Sequence, residues 1–249
     1  MKKFGVLLVG AMSMASVPSY AFFEKPEDGK FYDYGFIGVS AVADKSVYSA
    51  DNKAKFRLSP STFYNGEFGF VEGTLFNVSV LPYVGLSGNW RFAEVSEDVT
   101  TLPKGIKERD ASGELGVTFG TVGARITLLH DVTSQHDGYE LQLYLARAFE
   151  LPIDGLSISP FVGADFRDKK LSNHLYGISA AEAAASGLKA FTESNTRSFK
   201  TGITGLYEVF PNWNILGKVK LNYHDTESPL VRQRFGIATS LGVVYSFGD

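Results

Sequence analysis

Four histidines carry the chain's most reactive side chains, and three of them adjoin an aspartate: His130 beside Asp131, His136 beside Asp137, and His224 beside Asp225, with His174 further from any acid. Imidazole and carboxylate pairs of this kind can act as general acid and base, the chemistry of a peptide or lipid hydrolase. It requires one pair within about 3 Å of a substrate or a bridging water. No supporting pattern accompanies them. The chain has no nucleophile elbow, no glycine-rich phosphate loop and no His-x-x-x-His metal spacing. It has no cysteine, hence no thiolate nucleophile, thiolate metal site or disulfide framework. The plainer reading is four solvated residues at the ends of strands. On it the chain is not an enzyme and needs no cofactor and no metal.

The elements that must hold these histidines are strands. Residues 138–167 read as two strands of about ten residues joined by a turn at 151–155. In the first, Tyr139, Leu141, Leu143, Leu145 and Phe149 alternate with Glu140, Gln142, Tyr144 and Ala146, and Arg147 interrupts near the end. In the second, Leu156, Ile158, Pro160, Val162, Ala164 and Phe166 alternate with Ser157, Ser159, Gly163, Asp165 and Arg167. The period is two, which is β. About ten residues is the length of a tilted strand crossing a bilayer, and the apolar faces begin and end on aromatics. The sequence therefore predicts lipid outside and polar groups inside.

The first residues fit an export leader: Lys2 and Lys3, an apolar run to Val17, then Ser19-Tyr20-Ala21, with cleavage expected after Ala21. No later stretch holds the roughly 18 uninterrupted apolar residues of a spanning helix. Without Lys2 and Lys3 the chain carries 22 basic and 27 acidic residues. That balance argues against nucleic acid as a partner. No linker, charge block or repeat marks a boundary, so residues 22–249 are expected to form one barrel domain.

Elsewhere the pattern predicts a first strand at about 32–42, whose facing is blurred by Gly35, and a second at 56–64 closed by a hairpin at Asn65-Gly66. Pro60 within the second is tolerable only at an edge or a bulge. Residues 67–78 suggest two stubby strands, and 80–92 read as one continuous strand, with Val80, Pro82, Val84, Leu86, Trp90 and Phe92 on one face. Further strands follow at 114–119, 122–128, 199–210, 213–224 and 235–247. Tight connections alternate with long ones, as in an outer-membrane up-and-down β-barrel with its long loops outside, and an even count of twelve strands, or ten, fits. A soluble barrel or sandwich is the alternative. It would have to bury Glu114, Arg125, Glu140, Asp165, Arg167, Lys218 and Lys220 in its core, which is costly. In a membrane barrel these charges line the lumen, either cross-linking it by ion pairs or edging a narrow pore. Their mixed signs favour pairing and a mostly closed lumen.

The longest loop, 168–197, is expected to hold one short helix. Ser179 and Glu182 form a capping box, an alanine-rich run follows, and Gly187 supplies the stop. So short a helix is unstable alone and must dock, with Leu175, Tyr176, Ile178, Leu188 and Phe191 available as anchors.

Three stretches carry a resemblance: Asp131-Val132-Thr133 with His136-Asp137-Gly138-Tyr139; Tyr176-Gly177-Ile178-Ser179 through Glu182-Ala183 to Ser186-Gly187-Leu188; and Glu227-Ser228-Pro229-Leu230-Val231. In their order the chain resembles the MltA-interacting protein/OmpV family of Gram-negative outer-membrane proteins, over most of its length. The resemblance implies about twelve strands. It also implies a scaffold linking a murein transglycosylase with a murein synthase, or a surface antigen or adhesin with a host or surface ligand. A narrow passive pore and a hydrolase at the rim are the alternatives. Candidate interaction residues in the outer loops are then Tyr176, Gly177, Ser179, Glu182, Gly187, His136, Asp137, Glu227, Ser228 and Pro229, and outer-membrane lipid is the expected surroundings.

Overall fold

Alternating apolar and polar residues build twelve strands: β1 Tyr34–Lys45, β2 Lys55–Gly66, β3 Gly69–Glu72, β4 Leu75–Leu81, β5 Val84–Arg91, β6 Ser112–Gly120, β7 Ala124–Asp131, β8 Tyr139–Ala146, β9 Leu156–Arg167, β10 Thr196–Phe210, β11 Trp213–Asp225 and β12 Phe235–Gly248. After an interruption at Arg147, β8 resumes for two residues, Phe149–Glu150, against β9. The computed structural model describes residues 33–49 and 53–248. The expected leader, its cleavage site and the segment up to residue 32 lie outside them. Each strand pairs antiparallel with its neighbours, and β12 pairs with β1 from Tyr34↔Gly248 to Lys45↔Ile237, closing the barrel. Twelve strands replace the choice between ten and twelve.

The alternation sorts side chains as expected. Ile37, Val39, Leu58, Val162, Ile203 and Leu241 face outward and are exposed. Aromatics form two rings around this band: Phe56, Trp90, Tyr139, Phe199 and Phe235 at one end, and Phe119, Phe149, Tyr207, Trp213 and Tyr245 at the other. A continuous apolar belt of this size suits hydrocarbon and not water, and its aromatic rims suit the two bilayer interfaces.

Connections at one end are tight (67–68, 82–83, 121–123, 151–155 and 211–212), and those at the other are long (46–54, 92–111, 132–138, 168–195 and 226–234). The exception is 73–74, which joins two short strands. β3 pairs only with residues 63–66 of β2. Above Thr62, the strand therefore has no strand partner on that side among the described residues. Pro60 falls in this free stretch, which satisfies the edge condition for a proline without an amide donor.

Three expectations change. The hairpin after β2 turns at Glu67-Phe68, because Asn65 and Gly66 stay in the ladder and Gly66 pairs with Gly69. Gly69 has φ +137°, a conformation that a side chain would strain. The run 80–92 is two strands, with a turn at Pro82-Tyr83. A bulge between Ser79 and Leu81 keeps even-numbered residues outward on both sides, so the alternation passes through the turn unbroken. The long loop holds two helices, α1 Lys169–Tyr176 and α2 Ala180–Ser186, where one was expected. Asp168 caps α1 by accepting from the Leu171 amide at 3.0 Å.

Candidate functional site

The outer loops fold into a cap with its own apolar core. Val47 and Tyr48 come from 46–54, Val95, Leu102 and Ile106 from 92–111, Leu171, Leu175, Tyr176 and Ile178 from the helical loop, and Leu230 from 226–234. Leu188 and Phe191 pack against them, so every anchor expected for the helical loop is used. The capping box forms, with Ser179 and Glu182 each holding the other's amide, and Gly187 closes α2 at φ 72°. Arg109 ties two loops together. Its guanidinium donates to the His174 carbonyl at 2.8 Å, the Gly177 carbonyl at 3.0 Å and Glu182 at 2.8 Å. Burial alone would raise the Glu182 carboxyl, but Arg109, Ser179 and the Lys107 amide outweigh it and hold it at about 2.

Beneath the cap the lumen is crossed by ion pairs. Arg91 reaches Glu114 at 2.7 Å, Glu140 at 2.9 Å and Glu94 at 2.9 Å, and Arg167 reaches Glu140 at 2.8 Å and Glu94 at 3.3 Å. Glu94, in the 92–111 loop, would be raised by burial, yet Arg167 and Arg91 bring it to about 2. Arg167 also donates to the Tyr176 hydroxyl at 2.7 Å. The same hydroxyl lies 2.7 Å from Nδ1 of His224, a hydrogen bond whose direction follows the histidine tautomer. One chain of hydrogen bonds thus joins the barrel wall to the cap.

The histidines do not converge on a reactive centre. His136 Nδ1 accepts from the Gly138 amide at 3.0 Å, so its proton sits on Nε2, which faces Ser112 at 3.3 Å and Glu114 at 3.6 Å. A ring donating through Nε2 cannot take the Ser112 proton, and it is buried away from substrate. Asp131 accepts from Thr133, from the His136 amide at 2.7 Å and from the Asp137 amide at 3.0 Å, which shapes the 132–138 loop. His130 donates to the Gly138 carbonyl and stacks on Tyr139. His174 lies 5.5 Å from His136, ring to ring, and burial, His136 and Arg109 lower it from its ordinary value. Among the described residues no cluster of metal-ligating side chains forms.

Of the candidate interaction residues, Tyr176, Gly177, Glu182, Ser228 and His136 are buried within the cap, Pro229 is half-buried, and Ser179, Gly187, Asp137 and Glu227 face out. Ser228 donates to the Tyr176 carbonyl. Of the candidate lumen charges, Glu114, Glu140 and Arg167 form the network. Arg125 pairs with Glu72 at 2.6 Å and Asp165 with Lys200 at 2.9 Å. Lys218 and Lys220 face the lumen without an ion pair among the described residues, contrary to the expected pairing. Arg91, Glu94, Glu72 and Arg109 were not singled out in the sequence. Parity alone put Arg91 on the polar face, and nothing marked the others.

Below the network the lumen opens into a cavity of about 780 Å³ that Lys218, Lys220, Arg57, Phe36, Phe63 and Phe161 help to line. It runs to the end with the tight turns, at Ala146, Ser157 and Leu206.

The family model described as MltA-interacting protein MipA matches residues 37–247. The chain belongs to this family. The MltA-interacting protein of Escherichia coli K12 is 25% identical over 126 residues, 49% of this chain and 50% of that protein, so the match spans half the length of that relative. YiaT of the same strain, whose name assigns it provisionally to the outer membrane, is 23% identical over 227 residues, 85% of this chain and 90% of its own. Among solved structures, Neisserial surface protein A is 10% identical with a TM-score of 0.31, covering 86% of this chain and 97% of that one. A porin is 8% identical with the same score, covering 88% and 100%. Scores that low decide nothing about function. The stretches that carried the family resemblance are now placed: all three build the cap, through Asp131, Tyr176 to Leu188, and Ser228 to Leu230.

Proposed function

We propose that this member of the family is a non-conducting outer-membrane barrel that anchors a murein-processing enzyme at its periplasmic face, after export by the leader at residues 1–21. One observation carries the reading. The outer mouth is filled by an apolar core over a lattice of paired charges, and a passive pore needs a continuous water path there. The name of the Escherichia coli relative points to a murein transglycosylase as partner, and the tight-turn end, with Phe68 and Ile153 exposed at its tips, is the face such an enzyme would meet. No catalytic step is assigned to the barrel itself. The test has two arms. In planar bilayers the purified protein should be silent, and it should retain a lytic transglycosylase in pull-downs from detergent-solubilised envelopes. Reproducible conductance steps would replace the anchor with a pore; loss of the enzyme from the pull-down would remove the partner.

A further inference from the structure

The barrel wall has a window. Its sill is the 73–74 turn, where the Gly73 amide bonds to the Thr62 carbonyl at 2.9 Å and the Trp90 amide to the Thr74 carbonyl at 3.3 Å. One jamb is the free upper part of β2, and the other is the end of β5. The lintel is a single bond from Lys55 Nζ to the Glu97 carbonyl at 2.8 Å. Because Thr62 points its backbone groups toward the sill, counting back by twos puts those of Pro60, Leu58 and Phe56 on the same open side. Leu58 and Phe56 are 76% and 81% exposed on the lipid face, so the window lies within the apolar band. The lumen cavity reaches it, since Pro60, Thr62 and Gly73 are among its walls.

Inside, the register lines up cations. Lys218 pairs with Ser240, Ser240 with Val42 and Val42 with Arg57, so the two cations end one row across four strands, with uncharged Ser240 and Val42 between them. Lys220 lies two residues along, and Asp44, in its row, is the only acid on this wall of the cavity among the described residues. Two further acids line the cavity: Glu72, already held by Arg125 and Tyr144, and Glu150 at the tight-turn end. Phe161, in the row of Lys220, sits 4.9 Å from Lys218 Nζ. Below the cations an apolar patch, Phe36 stacked on Phe63 at 5.4 Å with Leu216 on β11, interrupts a lining of Ser59, Ser61, Ser157, Ser159 and Thr204. A cationic row above an apolar patch matches one molecule type, an amphiphile with an anionic head. The cavity also runs to the tight-turn end, but a window facing hydrocarbon beside the apolar patch favours the membrane as the source. Backbone amides bare to lipid are costly, and a headgroup in the window would supply acceptors.

We propose that the lumen is a binding chamber for one anionic membrane amphiphile, its head held by Lys218, Lys220 and Arg57 and its apolar part on Phe36, Phe63 and Leu216, admitted through the window beside Pro60. This is independent of the anchor role. The test uses full-length barrel in nanodiscs, with phosphatidylglycerol or phosphatidylcholine as probe, read by native mass spectrometry after transfer to detergent. The expected result is one retained phosphatidylglycerol per barrel and at least fivefold less phosphatidylcholine. Lys218→Ala/Lys220→Ala should lower retention at least tenfold, and the exposed cap variant Lys189→Ala should leave it unchanged. Ser59→Trp, filling the cavity beside the window, should slow uptake at least tenfold. Heat-modifiable gel migration verifies that each variant folds. Equal retention in the folded lysine variant, or no retention by the wild type, overturns the site. Displacement of the lipid by millimolar inorganic phosphate, or normal uptake by folded Ser59→Trp, overturns the membrane source and leaves a site for soluble anions.

Discussion

The outer and inner halves of the lumen are lined by the same strands, with charged residues at the same alternate positions, yet they treat those charges differently. At the outer end Arg91, Arg167, Glu114, Glu140 and Glu94 pair with one another beneath the apolar core of the cap. Further in, Lys218 and Lys220 border an open cavity without an ion pair among the described residues, Lys218 lying 4.9 Å from the Phe161 ring, while Glu72 on the same cavity is held by Arg125 at 2.6 Å. A charge without solvent must be paired and hydrogen-bonded, whereas one beside a wet cavity need not be. Under the closed mouth every charge of the network is paired, whereas beside the cavity pairing is partial: Arg125 and Glu72 find each other and the two lysines do not.

Breaking the sealed half should cost most. Glu140→Ala leaves Arg91 and Arg167 short of their shared carboxylate, and removing one partner from a buried ionic group typically costs about 3–5 kcal/mol; Lys218→Ala should cost far less. Urea titrations of both variants in the same detergent measure the contrast, and equal losses would erase it. Leu175→Ala, which hollows the cap's core, should cost about 2–5 kcal/mol, confined to the cap: proteolysis within 168–195 should accelerate while the barrel band on gels stays put.

Smaller changes sharpen the same contrast. Ser179→Ala removes half of the capping box and should cost about 1 kcal/mol of local helix stability, read as faster hydrogen exchange at amides 180–187. Acid should act in the same direction. Glu182 is held at about 2 in the folded cap, below its unfolded value, so its contribution is full above the ordinary carboxylate range and is lost as pH falls toward and through about 2. Protection of amides 180–187, corrected for intrinsic exchange, should hold at pH 5 and decline by pH 2. A flat profile would show that Arg109 and Glu182 do not secure the cap.

Much of the wall was legible because the membrane enforces period-two alternation on it. Tyr139 to Phe149 and Leu156 to Phe166 could be assigned faces from residue types alone. The turn at Pro82-Tyr83 was hidden because the bulge before it preserves parity. At Asn65-Gly66 a strong local hairpin signal yielded to the ladder with β1, which continues through Asn65. The helix α1 left a readable trace in Asp168 followed by Leu171 and Leu175, a cap and an i, i+4 pair. The cap's clamp left none: Arg109 meets the His174 carbonyl across 65 residues of chain, and no pattern in a polar loop announces such a contact. The window was half visible, in that Pro60 demanded a free edge but could not say that the edge borders the lumen.

The cap's composition also bears on the order in which the molecule assembles. Its core draws on four loops, and two of them, carrying Val47 and Leu230, flank the seam between the first and last strands, where the Arg232 amide reaches the Val47 carbonyl at 3.0 Å. Those strands are about 200 residues apart in sequence, so their pairing is the contact with the longest loop to close and the slowest to form. Until the seam zips, Val47 and Leu230 cannot meet and the cap cannot settle. A burial signal from Leu230 would therefore time the completion of the barrel, and a chain stalled before closure would show its outer surface an unassembled set of greasy loops.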